Sequence, residues 1–335
     1  SSIFWRDFSC RNLARVEPAR APGTNPHAPG AALLSWADPF FLEPTMPISS
    51  ATIKRVTAQL YERSLKAIPR DTRAFLQRAT RTETSPTGRA TLAIMLESAD
   101  GAQRDDALVC TDVGIPTYSL KIGTRVQFDG PVRAAIRDGF ADLAAHISPP
   151  ILKMVTNPLT HERSYAGKDM PIVSVDLLDD ADYMDIVCAP KAMGTGRWEA
   201  IDAFVYPTLE QIERFVLDTV LRAGSQPCLP LVIGVGIGGT FDYAARLAKE
   251  QVLRPFGQTN PEPALARMEQ RLRDAVNAMG FGPMGTGGDT SVMAVHVDYA
   301  ASHGFVPVAV CLNCWINRRT AARIHGDGRV EFFEG

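Results

Sequence analysis

From residue 50 onward the chain alternates apolar and polar positions with two distinct periods. Ile53, Val56, Leu60, Leu65, Ile68 and Phe75 recur at intervals that a helical hairpin uses, with Ser50 available as a cap. Pro69 interrupts that run, so it predicts two helices rather than one. Residues 92–97, 108–112 and 118–122 read as short strands or loops. Residues 131–146 form a helical pattern that stops before Ser148-Pro-Pro150. The apolar runs 172–178 and 183–189 read as a strand pair joined by Asp179-Asp-Ala-Asp182. An amphipathic helix follows over 209–223, ended by Gly224.

The C-terminal third is more apolar. Residues 229–235 predict a buried strand, then a glycine-rich turn, then a helix over 241–252. A second helix covers 262–279, with Leu265, Met268, Leu272 and Val276 on one side, and strands follow over 291–298 and 305–311. The fold class is therefore α/β, of mixed α+β type, without internal repeats. The pattern allows a division into two subdomains near residue 205.

Residues 1–45 stand apart. Pro18, Pro22, Pro26 and Pro29 fall in a stretch without apolar period, which cannot bury enough surface to offset its ordering entropy. The expected organisation is a disordered or mis-called N-terminal extension over 1–45 and one folded domain over 46–335, starting near Met46-Pro47. Several arginines raise the option of a transit peptide, against which Asp38 and Glu43 weigh.

Composition narrows the partners. The chain has 335 residues, with 35 Lys+Arg against 37 Asp+Glu, a net charge of −2. That balance argues against nucleic acid or an anionic membrane as partner. The longest apolar stretch, 306–316, falls well short of the ~20 residues that span a bilayer, so no membrane helix is expected. Six cysteines are too sparse for a disulfide framework and suit a reducing compartment, hence a cytoplasmic location.

Gly234-x-Gly236-x-x-Gly239 has the form of a dinucleotide-binding turn. The acidic strand end required about 20 residues on is absent, because Phe256-Gly-Gln-Thr-Asn-Pro-Glu-Pro263 stands there. A tightly packed or anion-holding turn fits better. The second cluster, 280–289, lacks the Gly-Lys-Ser/Thr ending of a phosphate loop. Cys110, Cys188 and Cys228 each sit at a strand end or loop start, where buried small hydrophobes and metal ligands both remain open.

Pro227-Cys-Leu-Pro-Leu-Val-Ile-Gly-Val-Gly-Ile-Gly-Gly239 and the helix after it resemble the alpha part of class I fumarate hydratases and L-tartrate dehydratases. Gly282-Pro-Met-Gly-Thr-Gly-Gly288, His296-Val-Asp298, Pro307-Val-Ala-Val310, Cys110-Thr-Asp-Val-Gly114 and Val187-Cys-Ala-Pro-Lys191 extend the likeness in order from about Met46 onward. The resemblance implies a [4Fe–4S] cluster held by Cys110, Cys188 and Cys228, with one iron open to substrate. Cys311-Leu-Asn-Cys314 is a rival pair, in which Cys314 resembles a family position that is not a ligand. The implied reaction is reversible hydration or dehydration of a small dicarboxylate, with Asp112 as general acid.

By the same resemblance, Thr111, Gly167, Lys191 and Arg197 mark substrate-binding positions. The pattern departs from the family there: Thr111 replaces a Gln, Ala192-Met-Gly-Thr-Gly196 replaces a glycine run, and His146-Ile-Ser148 lacks an Arg. Arg163 or Arg197 is a candidate replacement charge, and His303 is as readily core as substrate contact. The family's beta part has no counterpart in this sequence, which implies a separate beta subunit completing the site. Two alternatives stand beside this: a non-catalytic cluster-binding or scaffold relative, and a Rossmann-type oxidoreductase.

Overall fold

The structure, a computed structural model, describes residues 47–333. The extension expected over 1–45 lies outside the described residues. Helix α1 (Ser50–Lys66) is capped not by Ser50 but by Ser49, whose hydroxyl accepts the Thr52 amide at 3.1 Å. Ser50 instead donates its amide and hydroxyl to Asp129. After Pro69, α2 (Arg70–Thr82) begins, as the proline break predicts. Helix α3 (Pro86–Arg104) replaces the strand or loop expected over 92–97. Ser85 caps it, Pro86 occupies its first turn, and Leu92, Met95, Ala99 and Ala102 bury one helical face.

Strand β1 (Thr117–Gly123), helix α4 (Val132–His146), the short pair β2 (Val155–Thr156) and β3 (Arg163–Ser164), and strands β4 (Ile172–Leu178) and β5 (Tyr183–Cys188) follow. The expected pairing of β4 with β5 does not occur. Strand β1 lies between them, parallel to β4 and antiparallel to β5. Helices α1 and α4 cover one face of this sheet, burying Ile53, Leu60, Leu65, Ile136, Met184 and Ile186.

A single helical turn, α5 (Met193–Gly196), leads to β6 (Ala200–Val205), α6 (Leu209–Ala223), β7 (Leu231–Gly238), α7 (Phe241–Gln251), α8 (Pro263–Ala278), β8 (Val292–Ala300) and β9 (Phe305–Asn313). The second sheet runs β6-β9-β7-β8. Helices α6 and α8 pack on one face through Val216, Val220, Met268 and Leu272. Helix α7 packs on the other, with α2 and α3 in the same core. Strands β10 (Thr320–His325) and β11 (Val330–Phe333) then return to the first sheet, completing the order β11-β10-β5-β1-β4. A cut near residue 205 therefore does not separate the two sheets, since the second is inserted between strands of the first.

The glycine motif serves packing. A Cβ on Gly234 would lie 2.1 Å from the Ala248 carbonyl oxygen, and one on Gly236 would lie 2.2 Å from that of Ala244. Both glycines let α7 lie directly on β7, so their space is filled by helix backbone rather than by a ligand. The second glycine cluster wraps a buried carboxylate: Glu83 accepts the amides of Ser85, Asp289 and Thr290 at 2.9–3.1 Å.

Candidate active site

Antiparallel pairing of β7 with β9 sets Val232 opposite Asn313. Cys228, just before β7, and Cys314, just after β9, are thereby brought to one end of the second sheet. The Trp315 amide donates to the Cys228 carbonyl at 3.1 Å and fastens the two loops together. Cys110 arrives from the loop after α3 and packs into the same apolar cluster as Cys314. Burial first, then the neighbouring Cys314, Cys110 and Asp112, push the Cys228 thiol up to about 11, against the pull of Arg318.

Cys188, expected as the third ligand, is not among the groups that act on the Cys228 thiol. Cys188 is the last residue of β5, flanked by Tyr118 and Thr320 on the adjacent strands, and it is 0% exposed within the core under α1 and α4. Burial pushes its thiol far up, only partly offset by hydrogen bonds with Tyr118 and Ser64. Cys314 and Cys110 are the cysteines that do act on the Cys228 thiol.

Arg318 shapes the electrostatics of the three-cysteine end. It is 4% exposed, and its Nε and Nη2 have no hydrogen-bond partner among the described residues. Its charge acts on both Cys228 and Tyr61. The adjacent Arg319 is by contrast paired with Asp71. Orphaned guanidinium donors are costly in a protein interior unless an anion meets them.

Asp112 lies half-buried in the loop after Cys110. Its Oδ1 accepts the Gly114 amide at 3.0 Å, while Oδ2 makes no hydrogen bond among the described residues and faces Gly194 of α5. The buried Tyr61 hydroxyl donates to the Val113 carbonyl at 3.0 Å, with the Gly114 carbonyl at 3.3 Å, pinning this loop to α1. Backbone bonds between Ile115 and Lys191 tie the same loop to α5.

The remaining expected substrate residues scatter. Thr111 is exposed beside Cys110 and Asp112. Lys191 is adjacent in backbone, but its ammonium points away to Glu199 at 2.5 Å, the Leu312 carbonyl at 2.6 Å and Asn313 Oδ1 at 2.9 Å. Every Lys191 donor is used within the fold. Arg197 is exposed and stacks on Trp198. Gly167 lies in an exposed turn whose carbonyl accepts the Met170 amide. His303, at the far end of β9, is exposed and stacked on Phe305. Sequence reasoning missed Arg318, and the available signal was its position a few residues after a cysteine that ends an apolar strand.

Among the described residues, no three His, Cys, Asp or Glu side chains converge at the distance a single metal ion requires. A polynuclear cluster spreads its ligands over its corners and needs no such point. Three thiols from three loops, with a buried cation of unpaired donors acting on Cys228, fit an anionic iron–sulfur group.

Comparison with known proteins gives the family. The model of the fumarate hydratase (Fumerase) family matches residues 54–323. The chain belongs to that family, which consists of hydro-lyases. A protein of Methanocaldococcus jannaschii, provisionally named L(+)-tartrate dehydratase subunit alpha, is 31% identical over 286 residues, covering 83% of this chain and 99% of its own length. The L(+)-tartrate dehydratase subunit alpha of Escherichia coli strain UTI89 is 29% identical over 251 residues, 73% of this chain and 82% of its own. That of Shigella boydii is 28% identical over the same length.

Proposed function

We propose that this chain is the alpha subunit of a [4Fe–4S]-dependent hydro-lyase acting reversibly on a small dicarboxylate. The observation that supports this best is the meeting of Cys110, Cys228 and Cys314 beside Asp112 and the unpaired Arg318. Cys110, Cys228 and Cys314 would hold the cluster, and Cys188 serves the core. When bound, such a cluster supplies Lewis-acid polarisation of a hydroxyl and its neighbouring carboxylate.

The chain's own residues supply the rest. Asp112 presents Oδ2 as the group that gives a proton to the departing hydroxyl, while Oδ1 stays fixed by the Gly114 amide. Tyr61 keeps that carboxyl in place by holding the loop from below. Arg318 balances the negative charge of the site. Thr111 is placed to contact substrate, whereas Gly167 and Arg197 would need an ordered partner surface to take part.

The relatives named as tartrate dehydratase alpha subunits favour a tartrate-type diacid over fumarate or malate, and a separate beta subunit as partner. Free thiols at Cys110, Cys188, Cys228, Cys311 and Cys314 suit the cytoplasm. No described helix is long and apolar enough to cross a membrane.

The test is turnover. The chain, loaded with iron and sulfide without oxygen and mixed with its beta partner, is assayed with L-tartrate, fumarate and L-malate. Conversion of at least one diacid, lost in Asp112→Asn at unchanged iron content, is expected. Full iron with no conversion of any would overturn the catalytic reading in favour of a cluster-binding relative.

A further inference from the structure

A cavity of about 640 Å³ lies between the edge of the first sheet and the face of the second that carries α7. Its volume falls within the roughly 300–1,000 Å³ of small-molecule sites. Most of its wall is apolar, formed by Ile115, Met170, Ile172, Ile201, Ala248 and Val310. Five polar side chains line it: Thr117, whose hydroxyl donates to the Ile115 carbonyl, Lys191, Glu199, Cys311 and Lys249.

Lys191, Glu199 and Cys311 satisfy one another. Glu199 Oε1 receives Lys191 at 2.5 Å, the Cys311 thiol at 2.9 Å and the Leu312 amide at 2.9 Å. Lys191 completes its donors on backbone and Asn313. Lys249 is different, because it makes no hydrogen bond or ion pair among the described residues. Glu250, its neighbour in α7, is taken by Arg246, which also pairs with Asp176 on β4. Burial is the main influence on the Lys249 ammonium and holds it below the usual lysine range. The Lys191–Glu199 pair is neutral overall, so Lys249 is the lining cation without an ion-pair partner among the described residues, with Glu199 and Glu250 acting on it only at longer range.

We propose that this cavity binds an amphipathic monocarboxylate, with its carboxylate on Lys249 and its hydrocarbon body along the apolar wall. One free ammonium matches one carboxylate. A second anionic group would face Glu199 or hydrocarbon. Lys249 also lies in the last turn of α7, where the helix carbonyls disfavour a dianion such as phosphate. Ile115 and Lys191 of its lining tie it to the Asp112 loop, but none of Cys110, Cys228 and Cys314 lines it, and the proposal does not depend on the hydro-lyase reading.

Calorimetric titration of the full chain with octanoate, and with 1-octanol as the uncharged match, tests it. Octanoate should bind saturably, one per chain, at least tenfold more tightly than 1-octanol. Lys249→Met and Lys249→Gln should each erase that preference and leave 1-octanol binding unchanged. Ala245→Trp, at an exposed lining position of α7, should block both ligands. Melting curves confirm that each variant is folded. No saturable octanoate binding, equal affinity for the two probes, or a preference that survives both Lys249 variants would overturn the proposal.

Discussion

Two buried cations near the end of β9 meet opposite fates. Lys191 spends its donors on Glu199, Leu312 and Asn313, and Cys311 joins the same cluster. Arg318, a few residues further along, is 4% exposed and leaves Nε and Nη2 without partners among the described residues, its charge acting on Cys228. A polar cluster that closes on itself belongs to the architecture. One left open in the interior waits for something the chain does not supply. Substitutions at the open end should therefore change chemistry at constant stability, and those at the closed cluster should do the reverse.

The largest effect is expected at the open end. Asp112→Asn should lower kcat about 10²- to 10⁴-fold. Its melting temperature and iron content should stay put, because the amide oxygen still accepts from Gly114; a steady-state assay beside a melting curve checks both.

Protonation probes a second closed site. His296, buried under α7, donates its Nδ1 proton to the Gln251 carbonyl at 3.0 Å. Burial first, then the Arg254 charge, lower its pKa to about 4 from 6.5. The unfolded chain takes up the proton at higher pH than the folded one, so stability is held above about pH 6.5 and lost as pH falls toward 4. The loss should reach about 3 kcal/mol. Urea melts across that range should show it in the wild type and not in His296→Gln.

Lys191→Met should cost about 2–3 kcal/mol, less than the ~3–5 of a fully sealed pair because the Glu199 side chain is 30% exposed. Chemical denaturation measures this, and iron content should not follow it. Smallest is Gly236→Ala, whose Cβ meets the Ala244 carbonyl and pushes α7 from β7 at a cost of about 1–3 kcal/mol. It should not create or abolish nucleotide binding, which separates a packing glycine from a ligand-holding one.

Much of this was legible in the sequence wherever a local rule sufficed. Pro69 divides α1 from α2, Gly224 ends α6, and the apolar stripe of α8 is visible in Leu265, Met268 and Leu272. The family likeness pointed to Cys110, Asp112 and Cys228, which the fold brings together. What failed was pairing across distance. Strands β4 and β5 are adjacent in sequence with a polar turn between them, and only the insertion of β1 shows that they do not form a hairpin. Cys188 and Cys314 both end apolar strands. Their difference lies in which neighbour each strand takes: β5 is enclosed by β1 and β10, whereas β9 delivers Cys314 to the start of β7. Helix α3 was hidden because Ala99 and Ala102 bury a face without looking apolar.

The assignment of the thiols is the central claim, and iron and acid-labile sulfide counted after anaerobic loading of Cys314→Ser and Cys188→Ala test it most directly. The structure predicts about four of each per chain in Cys188→Ala, as in the wild type, and loss of both in Cys314→Ser. A full complement in Cys314→Ser with loss in a folded Cys188→Ala would contradict it.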